Sequence, residues 1–260
     1  MQIIKVPFSF NEKTRNCIFS PNQVLAELKK IESNEKSKII NYNSLYLEEI
    51  HVDINDVKES DYLIFKNSKE IFERNYKSFF IGGDKSINFP ILRAFNKVEK
   101  NPFLIVFDSH CNFLDSLDLN ESWIRRLIEI NFVPSSIVLI SSRNIYSEEL
   151  EFLKNFKIQI VTMDILQEDL FGICDVVMER ARNSSGFFIT IDLSSVDPSF
   201  APGVINIEPG GLSSRDLIYL IKRLVLLKNF RGASLVNIDS TKDINSMTLR
   251  LGAKILAEMI

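Results

Sequence analysis

Apolar runs that alternate with amphipathic stretches restrict the fold of this chain more than any other feature of its sequence. Runs rich in β-branched and aromatic residues recur at eight places, which are residues 3–8, 38–42, 79–81, 103–107, 137–141, 158–162, 187–192 and 234–238. Several are continuously apolar, which is typical of strands covered on both faces. This alternation predicts an α/β fold in which helices cover a parallel sheet.

The clearest helical pattern lies at residues 215–228. Its apolar side chains follow the i, i+3, i+4, i+7 spacing of a buried stripe, and they are Leu217, Ile218, Ile221, Leu224 and Val225. Ser213, with Asp216 three residues later, predicts a capping box at the start of this helix. Residues 246–260 predict a closing helix.

Eight strands within 260 residues suit both an open sheet and a closed eight-stranded barrel, and periodicity does not separate the two. The chain has no low-complexity tract, repeat or linker, so we predict one domain over residues 1–260. In either architecture the chemistry is expected at the carboxyl ends of the strands.

Charge and composition exclude several classes of function. The net charge is −3, from 31 basic and 34 acidic residues, which gives no electrostatic basis for binding nucleic acid or a membrane surface. No apolar run reaches the roughly 20 residues of a membrane span, and no signal peptide is recognised, so we expect a cytoplasmic protein. The three cysteines are far apart and His51 and His110 are the only histidines, which excludes a zinc ribbon or a multi-histidine site.

Two strand ends carry residues that suit a site. The run at 79–81 leads into Gly82 and Gly83, which permit a tight turn before a helix. The run at 103–107 is followed by Asp108, His110 and Asn112, which share one face of an extended segment. A carboxylate and an imidazole that converge in this way are plausible metal ligands, although a capping Asp beside a hydrogen-bonded His would give the same pattern.

A third strand end follows the same rule. Asp192 and Ser194 share a face at the end of the run at 187–192, and Asp197-Pro198 starts a turn. The loop then continues through Ala-Pro-Gly to the Glu-Pro-Gly-Gly segment that begins at Glu208.

Taken together in this order, the three segments resemble the motifs of the arginase/agmatinase (ureohydrolase) family, most closely the agmatinase branch. These motifs are Gly-Gly-Asp-His-Ser, Asp-Ala-His-x-Asp and Ser-x-Asp-x-Asp-x-x-Asp-Pro, followed by Ala-Pro-Gly and Glu-Pro-Gly-Gly. The resemblance runs from about residue 79 to the last residue. It implies a three-layer α/β/α arginase-like fold with an eight-stranded parallel sheet, and therefore favours the open sheet. It also implies a homo-oligomer, a trimer or a hexamer.

Enzymes of that family hydrolyse a guanidinium group with hydroxide held between two manganese ions, which are bound by two His and four Asp. Three of these six ligands are retained here, namely Asp108, His110 and Asp192. The other three positions are substituted and carry Lys85, Asn112 and Ser194. The resemblance thus implies a metal site that has lost half of its ligands.

Two further family positions differ. The proton-shuttling His corresponds to Glu121, so that Asp108, His110 and Glu121 are the candidate catalytic groups. The acidic residue that meets the guanidinium corresponds to Asn237, which is the candidate substrate-binding residue.

Charge favours a metal-free arrangement. Four carboxylates would balance two divalent ions, whereas Asp108 and Asp192 supply −2 and a protonated Lys85 adds +1. A divalent ion about 4 Å from that ammonium would meet roughly 8 kcal/mol of repulsion at an effective dielectric constant of about 20. We therefore expect Lys85 to occupy the place of a metal and to pair with Asp108 or Asp192. Asn112 and Ser194 are neutral hydrogen-bonding groups that suit such a cluster.

The sequence accordingly predicts a family member whose binuclear manganese site is largely lost and whose activity is absent or changed. Such a protein would bind a small guanidino or amide ligand, or assemble with an active paralogue. The alternative is an active hydrolase with one divalent metal, held by Asp108, His110 and Asp192 as in histone-deacetylase-like enzymes of the same fold. The cofactor prediction is therefore no metal or one divalent metal.

Overall fold

A central sheet of eight parallel strands organises residues 2–260, which are the part of the chain that the computed structural model describes. The strands are β1 (Gln2–Val6), β2 (Tyr46–Glu49), β3 (Ser78–Gly82), β4 (Pro102–Phe107), β5 (Ile137–Ser142), β6 (Gln159–Thr162), β7 (Gly186–Asp192) and β8 (Phe230–Val236). Their order in the sheet is β2-β1-β3-β8-β7-β4-β5-β6, and every neighbouring pair is parallel. The outermost strands β2 and β6 do not pair with each other, so the predicted open sheet is confirmed.

Helices cover both faces of this sheet. They are α1 (Ser20–Leu28), α2 (Val57–Glu73), α3 (Asn88–Val98), α4 (Leu119–Glu129), α5 (Ser147–Phe156), α6 (Met163–Glu168), α7 (Leu170–Arg182), α8 (Ser214–Leu224) and α9 (Met247–Met259). The predicted three-layer α/β/α arrangement is therefore present.

Within residues 2–260, none of these helices is both long and apolar enough to cross a bilayer.

Successive residues of the inner strands belong to opposite faces of the sheet. On β4, Phe103 and Ile105 belong to the apolar core that includes side chains of α1, α7, α8 and α9, whereas Leu104 and Val106 belong to the core that includes α2, α3 and α4. Both sets are buried. This double coverage is the physical reason why the inner strands read as continuous apolar runs.

The predicted strand at residues 38–42 is wrong. Only an isolated bridge between Ser33 and Ile39 forms there, and the second strand is β2, Tyr46–Glu49. Ile40 is buried and contributes to the core, which explains the apolar character of the segment without a strand. β2 lies at the edge of the sheet with Tyr46 and Leu47 exposed, so it lacks the apolar run by which the inner strands are recognised.

The capping box predicted at the start of α8 is confirmed. The Ser213 hydroxyl accepts a hydrogen bond from the Asp216 backbone N–H, and the Asp216 carboxylate accepts one from the Ser213 N–H. α8 ends at Leu224, four residues before the predicted end at position 228. α9 spans Met247–Met259, close to the predicted 246–260.

Truncation of the buried Phe188 tests the packing of the sheet against α2 and α3. The Phe188 ring lies 5.8 Å from that of Phe72 and 5.7 Å from that of Phe95, and it is fully buried. We expect Phe188→Ala to lower the free energy of unfolding by about 3–5 kcal/mol because a cavity is left in the core. The matched control is Phe171→Ala, at a site 63% exposed, which should cost less than about 1 kcal/mol. If urea denaturation showed that Phe188→Ala and Phe171→Ala lose the same free energy of unfolding, this packing would be contradicted.

Candidate functional site

Four strands that are consecutive in the sheet bring the candidate residues together. The order β3-β8-β7-β4 places the carboxyl ends of these strands side by side. Lys85 follows β3, Asn237 follows β8, Asp192 ends β7 and Asp108 follows β4. The parallel sheet thus gathers polar residues that are far apart in sequence at one edge, as the strand-end argument requires.

The turn after β3 depends on close backbone approach. A Cβ atom on Gly83 would lie 1.9 Å from the carbonyl oxygen of Phe8, so only glycine fits at this position. The next residue, Asp84, caps a short 3₁₀ helix (Lys85–Ile87) by accepting from the Ser86 N–H. This local geometry places Lys85 directly beyond the end of the strand.

Lys85 lies between the two retained carboxylates. Its Nζ is 3.2 Å from Oδ2 of Asp108 and 3.6 Å from Oδ2 of Asp192. The Lys85 residue is 4% exposed, and each Asp is 2% exposed. We call these three residues the ion triad, and its geometry matches the pairing expected from the sequence. Among residues 2–260, no group of three or more His, Cys, Asp or Glu side chains is arranged to hold a metal ion.

Neutral N–H donors occupy the remaining sides of the triad carboxylates. Asn112 Nδ2 donates to Oδ2 of Asp108 at 2.9 Å, and Asn237 Nδ2 donates to both oxygens of Asp192 at 3.1 and 3.0 Å. Both asparagines have left-handed backbone angles, with φ of 62° and 70°. Asparagine tolerates this conformation better than most residues. The Ser194 backbone N–H and hydroxyl donate to Asp192 and Asp108, respectively.

Burial and charge act in opposite directions on the triad pKa values. Burial by itself would lower the pKa of Lys85, but Asp108 and Asp192 outweigh it and raise that pKa. Burial raises the pKa of Asp192 to about 6, and Asp108 adds to the increase while Lys85 opposes it. For Asp108, burial is outweighed by Lys85 and His110, which lower its pKa. The Lys85 ammonium is therefore the fixed positive charge of the site.

His110 belongs to a chain of polar groups beside the triad. Its Nδ1 lies 2.8 Å from the Ser109 hydroxyl, which donates to the Ser194 hydroxyl at 2.9 Å. Its Nε2 lies 3.3 Å from Oε1 of Glu208. The Ser109 hydroxyl is therefore hydrogen-bonded to the ring nitrogen of His110 that faces the triad. Ser109 corresponds to the Ala of the family motif.

A cavity of about 130 Å³ lies beside the triad. It is lined by Asn11, Lys13, Thr14, Lys85, His110, Asn112, Leu114, Asp118, Asn120, Glu121, Tyr146, Glu149, Ile205 and Asn206. Lys85 lines this cavity, whereas Asp108 and Asp192 do not. Of the three triad residues, Lys85 is thus the one that contributes to the cavity lining.

The candidate residues occupy different places relative to this cavity. His110, Asn112 and Glu121 line it, and Glu121 is exposed. Asn237 is 2% exposed, hydrogen-bonds Asp192 and does not line the cavity. Ser194 is likewise buried behind the cavity among the triad carboxylates.

One wall of the cavity was not predicted from the sequence. Residues 11–14 reach the site because the buried Asp84 carboxylate accepts hydrogen bonds from the Phe10 N–H at 2.8 Å and the Thr14 hydroxyl at 2.5 Å. The same carboxylate accepts from Asn120 Nδ2 at 3.0 Å. Asp84 therefore joins the N-terminal segment, the glycine turn and the start of α4 around the cavity.

The loop that carries Glu208 is fixed by Arg143. The guanidinium of Arg143, which follows β5, donates to the backbone carbonyls of Ser194 at 2.7 Å, Glu208 at 2.5 Å and Pro209 at 3.0 Å. Asn144 Nδ2 donates to Oε1 of Glu208 at 2.7 Å. These contacts hold Glu208 beside His110.

Comparison with known proteins agrees with this geometry. A family model described as the arginase family matches residues 1–260. The chain belongs to the arginase family. Formimidoylglutamase of Bacillus subtilis strain 168 is 25% identical to it over 98% of this chain and 84% of the relative. Arginase 1 of Arabidopsis thaliana is 29% identical over 72% of this chain, which spans only 55% of that relative.

Solved structures support the same fold. The crystal structure of the Bacillus subtilis formimidoylglutamase has a TM-score of 0.91 at 24% identity, over 99% of this chain and 85% of that one. Agmatine ureohydrolase of Thermoplasma volcanium has a TM-score of 0.85 at 23% identity, over 99% of this chain and 87% of that one. The predicted family and its three-layer fold are therefore confirmed.

Removal of the Lys85 ammonium should destabilise the protein. In Lys85→Met, two buried carboxylates lose their positive partner, and we expect the free energy of unfolding to fall by about 3–5 kcal/mol. The matched control is Lys66→Met, because Lys66 is exposed on α2 and lines no part of the cavity. Denaturant midpoints at matched salt and pH give the comparison. Equal midpoints for wild type and Lys85→Met would contradict the triad.

The Asp197 carboxylate should make the Glu208 loop sensitive to acid. Hydrogen bonds from Ser199, Gly210 and Gly211 lower the pKa of Asp197 from 3.8 to about 2. Because the folded-state pKa is the lower one, this stabilisation is present above pH 3.8 and is lost as the pH falls towards 2. We expect Asp197→Asn to cost about 1 kcal/mol at pH 7, since the group is partly exposed. The free energies of unfolding of wild type and Asp197→Asn, measured from pH 7 to pH 2, should converge as the pH falls. A difference between the two proteins that does not change with pH would contradict the role given to the Asp197 carboxylate.

Proposed function

We propose that this chain is an arginase-family protein without a binuclear manganese centre, in which the ion triad takes the place of the metal pair. The arginase family normally binds manganese. In this proposal the chain does not hydrolyse guanidino compounds, and its cavity binds a small ligand without cleaving it. The position of the Lys85 ammonium between Asp108 and Asp192 carries the proposal.

The hydrogen-bond donors around the triad support a metal-free site. A divalent ion requires free lone pairs on the carboxylate oxygens, and every N–H or O–H donor directed at such an oxygen competes for one of them. Here both oxygens of Asp108 and both of Asp192 face donors, which come from the side chains of Lys85, Asn112, Asn237 and Ser194 and from backbone N–H groups. The residues present therefore fit an internal cation and do not fit two manganese ions.

Charge supports the same conclusion. The triad carries two carboxylates and one ammonium, so its net charge is −1 when all three groups are ionised. Two divalent ions would add +4 next to a buried ammonium, with no further carboxylate among the triad and its hydrogen-bond donors. Lys85 neutralises part of the carboxylate charge and removes the need for a metal.

An active enzyme with one metal is the second candidate, because Asp108, His110 and Asp192 are all retained. In the structure, however, the Ser109 hydroxyl lies at Nδ1 of His110, and Lys85 lies between the two Asp residues. A single ion would have to displace both contacts. Metal binding distinguishes the two candidates.

Manganese should neither co-purify with the protein nor stabilise it. We expect far less than one metal ion per chain by elemental analysis, and no rise in melting temperature on addition of manganese or zinc. An ion present at 100 times its dissociation constant would contribute about 2.7 kcal/mol, which is easily detected as a thermal shift. Stoichiometric metal, or a large shift with either ion, would contradict the proposal.

A variant with the family ligands restored provides the positive control. Lys85→His, Asn112→Asp and Ser194→Asp combined would supply the three missing ligand types at their family positions. We expect this triple variant to gain a manganese-dependent rise in melting temperature that the wild type lacks. Urea release from arginine or agmatine, measured with both proteins, should be absent in the wild type.

A further inference from the structure

We propose that a pocket at the amino ends of β4, β5 and β7 binds a phosphate group, with the Arg180 guanidinium as its charged contact. The pocket has a volume of about 250 Å³ and is lined by Asn101, Pro102, Phe103, Ser135, Ser136, Arg180, Asn183 and Ser184. Pro102 begins β4, whereas Asp108 of the ion triad follows the end of the same strand. The pocket therefore lies at the opposite edge of the sheet from the triad, and this inference does not depend on the proposed function.

Two contacts place the Arg180 guanidinium in the wall of this pocket. Its Nη2 donates to the carbonyl oxygen of Ser135 at 2.5 Å, and its Cζ lies 5.0 Å from the centre of the Phe103 ring. Both Ser135 and Phe103 line the pocket. The charged end of the side chain, and not only its aliphatic part, is therefore part of the lining.

The Arg180 guanidinium has no carboxylate partner. Burial lowers the pKa of Arg180, and no neighbouring carboxylate within residues 2–260 raises it again. On the flanking segments, Glu179 pairs with Arg182. Glu99 pairs with Arg231. No acidic residue lines the pocket, so its only formal charge is positive.

Two of the three guanidinium nitrogens of Arg180 remain free to donate. Arg126 and Arg143, which also lack an acidic partner, each donate from both Nε and Nη2. Arg180 donates from Nη2 alone. Its Nε and Nη1 have no hydrogen-bond partner within residues 2–260 and are not enclosed by protein atoms. These two nitrogens are therefore accessible, and the planar fork of arginine matches the oxygens of a phosphate group.

Serine hydroxyls add neutral donors to the lining. Ser135 is exposed and Ser136 is half-buried, and within residues 2–260 neither side chain forms a hydrogen bond. Each hydroxyl can therefore donate to a ligand oxygen. The Ala181 carbonyl in the last turn of α7, which would otherwise repel an anion, accepts from the Ser184 hydroxyl and from Asn229 Nδ2 at 2.7 Å each. An anion in the pocket thus meets N–H and O–H donors and no carboxylate.

A phosphate group uses this set of donors more fully than a carboxylate does. It offers three strong acceptor oxygens and up to two negative charges, whereas a carboxylate has two oxygens and one charge. The hydrogen bond from Arg180 ends on Ser135 itself, which keeps the guanidinium and the hydroxyls of Ser135 and Ser136 within reach of one phosphate group. The pocket is also larger than a phosphate ion, so the group can belong to a small phosphate monoester.

Three probes test the assignment, namely inorganic phosphate, glycerol 3-phosphate and acetate. Each is titrated into the ¹⁵N-labelled wild-type protein at constant pH and ionic strength, and the backbone amide shifts of Ser135, Ser136, Asn183 and Ser184 are followed by NMR. We expect both phosphates to shift these amides with half-saturation at about 1 mM or below, and acetate to bind at least about tenfold more weakly. Tighter binding of glycerol 3-phosphate would identify a monoester site and equal binding a site for free phosphate, and both results support the phosphate assignment. No shift of these amides with either phosphate, or equal binding of acetate, would overturn it.

Variants attribute the binding to the Arg180 guanidinium. Arg180→Gln should weaken phosphate at least about tenfold, because it removes the charged donors. The matched control is Arg182→Gln, which removes the same charge from an exposed, Glu179-paired site on the same helix and should change the affinity less than about twofold. Arg180→Lys keeps the charge without the fork and should give an intermediate loss. Ser136→Ala should weaken phosphate about threefold and remains informative if Arg180→Gln does not fold. Unchanged affinity in a folded Arg180→Gln or Ser136→Ala variant, or equal losses in the two Gln variants, would overturn the inference.

Discussion

The Lys85 ammonium between two buried carboxylates is the interaction on which the site depends. Asp108 and Asp192 end neighbouring strands of one parallel sheet, and each is almost fully buried. Without a positive charge between them, one carboxylate would have to take up a proton. Lys85 supplies that charge from the turn after β3, and the Asn112 and Asn237 amides complete the arrangement. The four central strands thus meet around an internal cation.

The structure has the family fold, and the ion triad lies where the central strands end. The fold is that of an arginase-family protein, and Arg143 holds the Glu208 loop against the end of β7. In the proposed function, Lys85, Asn112 and Ser194 replace ligands of the family's metal pair. The wall at residues 11–14 is held by Asp84, whereas Lys85 and Asn112 belong both to the triad network and to the cavity lining.

Sequence patterns predicted the inner strands and the triad, since both arise from local features. Double coverage gives β4 and β7 continuous apolar runs, and the polar residue that ends each strand marks the edge where Lys85, Asp108 and Asp192 meet. The edge strand β2 and the cavity wall at residues 11–14 were missed. β2 has only one neighbouring strand and exposed side chains, while the wall depends on hydrogen bonds from Phe10 and Thr14 to Asp84, about 70 residues away. No local pattern encodes such a contact.

The saturation of the triad carboxylates also limits which single substitutions this site tolerates. A single change of Lys85 to His would leave two buried carboxylates without a fixed positive charge. An Asp in place of Asn112 or Ser194 would remove a donor and add a third carboxylate beside Asp108. Each of these single substitutions is therefore expected to give a less stable protein. If the proposed function holds, a metal site would form here only when several of these residues change together, because each single change removes a partner from a buried charge.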